Sequence, residues 1–205
     1  MKTLYLSLLF ICIGLNMFAQ KANKIVVHVE AGVKYDVKSN DYADDDGFSG
    51  VQFFVSELYP MNENFAAGLG TGVNLYTRFD EYFDKITSIP LYANAIYKLP
   101  TSGDFIPFVD LKLGYGIVSR DYIITRILET FPEQRKELNV KNYGGIYLSP
   151  SVGVLFPLNK TAISLSLSYD LQRMKAKLTD LSGERISEES KTYANTLTLR
   201  IGYIS

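Results

Sequence analysis

The chain has 205 residues, a formal net charge of −1 and a mean hydropathy close to zero. That length suits one domain, and the charge balance, with no basic run along the chain, argues against a nucleic-acid binder. A helical membrane protein is excluded because one apolar run at most is a candidate span, whereas a membrane barrel keeps its average hydropathy low by alternating lipid-facing and lumen-facing residues. Tyr and Phe are plentiful, at 15 and 12, and Trp is absent.

The N-terminus reads Met1-Lys2-Thr3, an apolar run from Leu4 to Leu15, then Asn16-Met17-Phe18-Ala19-Gln20. A positive start, an apolar stretch of about a dozen residues and a small residue at the cut make a secretory signal peptide over 1–20. The run is too short to be an anchor, which needs about 20 residues. Cys12 is the single cysteine. It follows Ile11 rather than a small residue and sits early, so a lipoprotein acceptor is disfavoured. The mature chain, 21–205, is expected to carry no disulfide, no thiol catalyst and no thiolate metal site.

From Lys24 onward period-two alternation takes over. Ile25, Val27, Val29, Ala31, Val33, Tyr35 and Val37 face one way, against His28, Glu30, Gly32, Lys34 and Asp36. This first predicted strand outlasts a typical soluble strand of about 5–6 residues. Residues 38–49 are polar and acidic and read as a loop. The second strand runs over 50–58, with Val51, Phe53 and Val55 on one face, and a turn follows at 59–64. The third covers 65–79, with Phe65, Ala67, Leu69, Val73, Leu75 and Phe79 opposite a face rich in glycine.

After a loop at 80–85, the fourth strand covers 86–98 and the fifth 105–119, joined by a turn at 99–104. A long connection, 120–141, leads to the sixth strand over 143–156. A tight turn at 157–160 precedes the seventh, where Ile163, Leu165, Leu167, Tyr169 and Leu171 alternate with Ser164, Ser166, Ser168, Asp170 and Gln172. Residues 173–190 read as polar loop. The eighth strand sets Tyr193, Leu197, Leu199, Ile201 and Tyr203 against Ala194, Thr196, Thr198, Arg200 and Gly202. Eight strands with long and short connections in alternation predict an all-β, antiparallel, up-and-down transmembrane barrel with both termini in the periplasm.

A soluble ligand-binding barrel such as a lipocalin is the competing architecture. Two features favour the membrane. The polar face carries Gly, Ser, Thr and scattered charges, as a narrow filled lumen does. Aromatics on the apolar face sit near strand ends, Phe65, Tyr97, Phe105, Phe156 and Tyr203 at one end and Tyr35, Phe79, Tyr115 and Tyr193 at the other, where rings prefer the lipid–water boundary.

Three segments, Phe18-Ala19-Gln20, Ser88-Ile89-Pro90-Leu91 and the run from Pro107 through Phe108, Val109, Asp110, Leu111, Lys112, Leu113, Gly114 and Tyr115 to Gly116, occur in the order in which the outer-membrane β-barrel family common in Bacteroidota carries them. Over its whole mature length the chain resembles that family, which is related in architecture to OmpA and OmpX. The resemblance implies an outer-membrane, porin-like protein inserted by the barrel-assembly machinery and surrounded by outer-membrane lipids and lipopolysaccharide. The chain departs from it at Gly202-Tyr203-Ile204-Ser205, where many such barrels end in an aromatic residue read during insertion.

No catalytic, cofactor or metal residue is expected, and no cofactor. His28, the one histidine, lies on the lumen face near the periplasmic end, away from outer-leaflet lipid chemistry of the kind found in PagL or PagP. It reads as a hydrogen-bonded lumen histidine, and Ser164, Ser166 and Ser168 as lumen packing. The charged lumen positions are expected to form a structural ion network of Glu30, Arg200, Lys34, Asp110, Lys112 and Asp170, with Glu30 and Arg200 on strands that meet at closure, because buried charge is costly unless paired.

The acidic run at 41–47 lacks the ligand spacing of a calcium loop and reads as solvated. Ile123, Ile124, Ile127, Leu128 and Phe131 recur at helical spacing, so 120–141 is either a short surface helix or partner-binding patch, or a strand extension beyond the membrane. The expected role is that of a non-enzymatic, monomeric barrel, structural or engaged in surface interactions. The alternatives are a lipid A-modifying enzyme and an OmpW-like conduit for small hydrophobic molecules.

Overall fold

A computed structural model describes residues 25–37, 48–78, 86–118, 121–128, 134–180 and 190–205. The predicted leader, the acidic run at 41–47 and Phe79 lie outside them. The described residues form strands β1 (Val26–Asp36), β2 (Phe48–Pro60), β3 (Phe65–Arg78), β4 (Ile86–Lys98), β5 (Ile106–Val118), β6 (Asp121–Leu128), β7 (Gln134–Tyr143), β8 (Gly145–Leu158), β9 (Thr161–Asp180) and β10 (Ser190–Ile204). All pairings are antiparallel. Each of β1 to β4 pairs with the next, β5 pairs with β8, β8 with β9 and β9 with β10, and β10 returns to β1 with Val29 opposite Tyr203 and Tyr35 opposite Leu197. Eight strands therefore close a barrel, which removes every edge from the wall.

The turns gather at one end. Between β2 and β3, Asn62 Oδ1 accepts the backbone N–H groups of Asn64 at 2.9 Å and Phe65 at 2.7 Å, an Asx turn. Between β8 and β9, Asn159 takes the left-handed conformation at φ 53°, which asparagine tolerates. The chain ends lie at this same end, where Ser205 N–H donates to Val27 O at 3.0 Å.

At the opposite end one open expectation is resolved and another changes. The described residues of 120–141 follow the strand-extension reading and not the helical one. β6 and β7 form a hairpin, and β7 pairs with the far part of β9, Tyr143 opposite Lys175 and Leu138 opposite Asp180. Much of 173–190 is likewise strand, since β9 continues to Asp180 and β10 starts at Ser190. The wall extends past the barrel because β9 and β10 hold their register from Ile204 opposite Ala162 to Ser190 opposite Ala176. Polar residues are no bar to strand once a neighbour satisfies the ladder.

Polarity is reversed relative to a soluble protein. Val33, Phe53, Leu69, Leu91, Leu113, Ile146, Val152, Leu167, Leu199 and Ile201 are exposed on the outside, while charged and hydroxyl side chains fill the inside. On β9 the faces exchange character near residue 172. Outward residues run Leu165, Leu167, Tyr169 and Leu171, then Arg173 and Lys175. Inward residues run Ser166, Ser168, Asp170 and Gln172, then Met174, which is buried with Tyr76, Val118 and Ala194.

Large lumen side chains lie opposite glycines. Phe54 faces Gly72, Tyr92 lies between Gly70 and Gly114, Tyr147 also faces Gly114, Leu58 faces Gly68, and Phe108 faces Gly153. A Cβ at Gly72 would run into the Phe54 ring and the Phe53 carbonyl. Pairing large with absent side chains is how so narrow a lumen fills without voids.

Pro90 and Pro150 interrupt the ladder of the wall. The β3–β4 register lapses between Thr71–Leu91 and Asn74–Ser88, beside Pro90, and the β8–β9 register lapses between Leu148–Leu171 and Ser151–Ser168, beside Pro150. Proline has no N–H to give the ladder.

The lumen ion network as candidate functional site

The wall places Glu30 on β1 opposite Gly202 and Arg200 on β10 opposite Gly32, so the two charged residues are diagonal neighbours across the closing seam. Arg200 Nη1 lies 3.8 Å from Glu30 Oε1 and 3.9 Å from Asp110 Oδ2, and its Nη2 lies 2.6 Å from Asp170 Oδ1. Lys34 Nζ donates to Asp170 Oδ2, and Lys112 Nζ donates to Asp110 Oδ2 and lies 2.8 Å from Glu30 Oε2. The six charged residues read from the sequence thus make one connected group of three cations and three anions. All are at most 3% exposed, a depth at which an unmatched charge would be costly.

Neutral side chains complete the coordination of the carboxylates. Asp170 also accepts from Thr198 Oγ1 at 2.8 Å and from Ser149 Oγ, which in turn accepts from Arg200. Asp110 accepts from Asn94 Nδ2 at 2.8 Å and Ser151 Oγ at 3.2 Å. The Arg200 guanidinium stacks over Phe54 at 5.3 Å from the ring centroid, and Lys34 Nζ lies 5.4 Å from the Tyr76 ring centroid. Such contacts favour cations over aromatic faces. Period-two reading had put Phe53 outside without drawing the consequence for Phe54, so these aromatic partners were missed.

The lumen is less uniformly polar than its sequence pattern suggested. Phe54, Tyr92 and Tyr147 pack as a triad beside the charges, with centroids 5.4–6.2 Å apart. Leu58, Ile96, Phe108 and Leu155 form an apolar plug at the turn end.

His28 meets a serine. Its Nε2 lies 3.1 Å from Ser164 Oγ, and its Nδ1 lies 3.8 Å from Glu30 Oε2. Nucleophile, base and orienting acid stand in the order of a hydrolytic relay. His28 and Glu30 are, however, no more than 1% exposed, Ser164 is 2% exposed, and the leucine–phenylalanine plug lies between them and the turn end. The sequence had placed both His28 and Ser164 in the lumen without pairing them. Gly202 leaves the space in which they meet, since a Cβ there would sit 2.8 Å from His28 Nε2.

A closed wall with an apolar exterior and a charge-balanced interior decides the architecture. The chain is a transmembrane eight-stranded β-barrel.

No protein-family model matches the chain, and no curated protein matches its sequence. Among solved structures, it is similar to Neisserial surface protein A, at 15% identity over 88% of this chain and 95% of that one, with a TM-score of 0.47. It is similar to a major outer membrane protein from Thermus thermophilus, at 15% identity over 88% and 98%, TM-score 0.48. It is also similar to the outer membrane protein AlkL in lipid bilayers, at 12% identity over 89% and 90%, TM-score 0.47.

Proposed function

We propose that this barrel resides in the outer membrane with its termini in the periplasm, and that it is a non-enzymatic protein acting through its outward sheet extension. The observation that carries this reading is the filled, charge-balanced lumen. Glu30, Lys34, Asp110, Lys112, Asp170 and Arg200 are paired in charge with one another, so the interior serves as a structural core, and the surface available to partners is the β6–β7 hairpin with the far ends of β9 and β10. Tyr35, Tyr115 and Tyr193 near one rim and Tyr97, Phe105, Phe156 and Tyr203 near the other, all exposed, support a bilayer position between them. The resemblance to outer-membrane barrels common in Bacteroidota agrees with this placement.

The Ser164–His28–Glu30 arrangement favours a second reading, a lipid-modifying enzyme. Its burial weighs against it, because a substrate ester has no route to Ser164 Oγ. Two measurements separate the readings. Planar-bilayer recordings of the refolded barrel are expected to show no sustained conductance, and lipid A from cells with and without the protein is expected to carry the same acyl chains. A changed acylation pattern, abolished by Ser164→Ala, overturns the non-enzymatic reading. Steady conductance overturns the filled lumen.

A further inference from the structure

Gln52 on β2 and Asn74 on β3 stand directly opposite each other on the lumen side of the wall. Gln52 is 4% exposed and Asn74 is fully buried. Each carries a carboxamide, whose nitrogen has two hydrogens to give and whose oxygen has two lone pairs to fill. None of these four polar atoms meets a hydrogen-bond partner among the described residues.

The surroundings explain why side chains alone leave them unmet. On the lumen face Gln52 lies between Gly50 and Phe54 of its own strand, and Asn74 between Gly72 and Tyr76. Across the wall from Gln52 is Gly32, which has no side chain to offer. Across from Asn74 is Ser88, whose hydroxyl donates to Gln172 Oε1 at 3.3 Å and keeps its lone pairs free to accept. The six charged residues of the ion network stand on β1, β5, β9 and β10, so β2 and β3 supply none of them. Toward the extended sheet, Tyr76, Val118, Met174 and Ala194 pack as an apolar layer.

A buried amide left unpaired is costly, and native interiors meet such groups with ordered water that makes about three hydrogen bonds. The chemistry selects this occupant over an ion. A cation would use only the two carbonyl oxygens and an anion only the two NH2 groups. Either would also add an uncompensated charge to a lumen whose three cations and three anions balance. Water both gives and accepts. Opposite residues of an antiparallel pair have Cβ atoms about 4.5–5.5 Å apart, close enough for one water to reach both amides.

We infer that Gln52 and Asn74 form a buried hydration site, in which ordered water bridges the two carboxamides with Ser88 Oγ as a further acceptor. Bound water then does for β2 and β3 what ion pairing does for β1, β5, β9 and β10, satisfying polar groups that a narrow lumen turns inward. The site does not depend on which membrane holds the barrel.

The test is nuclear magnetic resonance of the isotope-labelled barrel refolded in lipid nanodiscs, reading the side-chain amide protons of Gln52 and Asn74 against the water signal. Both amides are expected to show Overhauser cross-peaks to water, with the rotating-frame sign of a dipolar contact and not of proton exchange. Absence of that cross-peak at either amide of the folded barrel overturns the inference. Substitutions of similar shape give a second readout, the urea midpoint. Gln52→Met and Asn74→Leu each leave the water and the other amide short of a partner, so each is expected to lower the midpoint. The double variant removes both amides and is expected to lose less than the sum of the two. If the amides were buried dry, each substitution would remove an unpaired polar group and raise the midpoint. A raised or unchanged midpoint in either single variant therefore overturns the inference. A gel mobility shift on boiling, run on each sample, reports the fold. Failure of the hydration site leaves the charge-balanced lumen and the proposed function standing.

Discussion

Arg200 Nη2 lies 2.6 Å from Asp170 Oδ1 while Lys34 closes on the other oxygen of the same carboxylate. One anion from β9 thus holds cations from β10 and β1, tying three adjacent strands across the closing seam. Asp170→Asn removes that anion, takes from Lys34 its carboxylate partner and leaves Arg200 with the longer contacts to Glu30 and Asp110. The expected cost is about 3–5 kcal/mol, read as a lower urea midpoint for loss of the folded gel band in vesicles. Adding Lys34→Met to Asp170→Asn removes the stranded charge, so the double variant is expected to be less destabilised than the sum of the single changes.

Lumen filling makes a second prediction. Gly72→Ala places a methyl against the Phe54 ring and the Phe53 carbonyl, and backbone cannot yield cheaply. Overpacking of this kind costs about 1–3 kcal/mol. Gly103→Ala, whose nearest neighbour is Thr101 Oγ1 at 3.6 Å, is expected to leave the urea midpoint unchanged. Equal effects at the two glycines would remove the case for aromatic–glycine pairing as the filling device.

Depth dependence makes a third. Leu113 lies mid-strand on the outer face and is 53% exposed, whereas Tyr35 lies near the loop end and is 61% exposed. Leu113→Arg is expected to cost about 2–4 kcal/mol and Tyr35→Arg about 0–1 kcal/mol, measured by unfolding from vesicles, because an arginine is costly at the bilayer midplane and tolerated at its boundary. In a water-exposed barrel the two changes would cost the same.

The exchange of faces on β9 makes a fourth. Cys12 is the single cysteine of the chain, so in a Cys12→Ser background a cysteine placed elsewhere is the sole thiol. With a membrane-impermeant thiol reagent on intact cells, cysteines at Arg173 and Lys175 are expected to react, and those at Leu165, Leu167 and Asn62 to stay protected. Labelling at Asn62 but not Lys175 would invert the proposed orientation.

What the sequence made legible follows from the period of the strand. Seventh-strand residues 163–172 alternate without interruption, and one register step would turn every side chain to the wrong face, so the inside and outside of the wall were readable. Charges on the inward face had to find partners, which named all six members of the ion network. The β6–β7 hairpin was not readable, because Ile123, Ile124, Ile127 and Leu128 fit a helical stripe as well as a strand. Phe54 and Leu58 escaped notice because the space they use belongs to Gly72 and Gly68 on the neighbouring strand.

The most direct test of the central claim is to fractionate cells and run the outer-membrane fraction unboiled and boiled on a denaturing gel. An outer-membrane barrel is expected to be found there and to change mobility on boiling, as its closed wall unfolds only with heat. Recovery of the protein in the soluble periplasm, with the same mobility before and after boiling, would contradict the account.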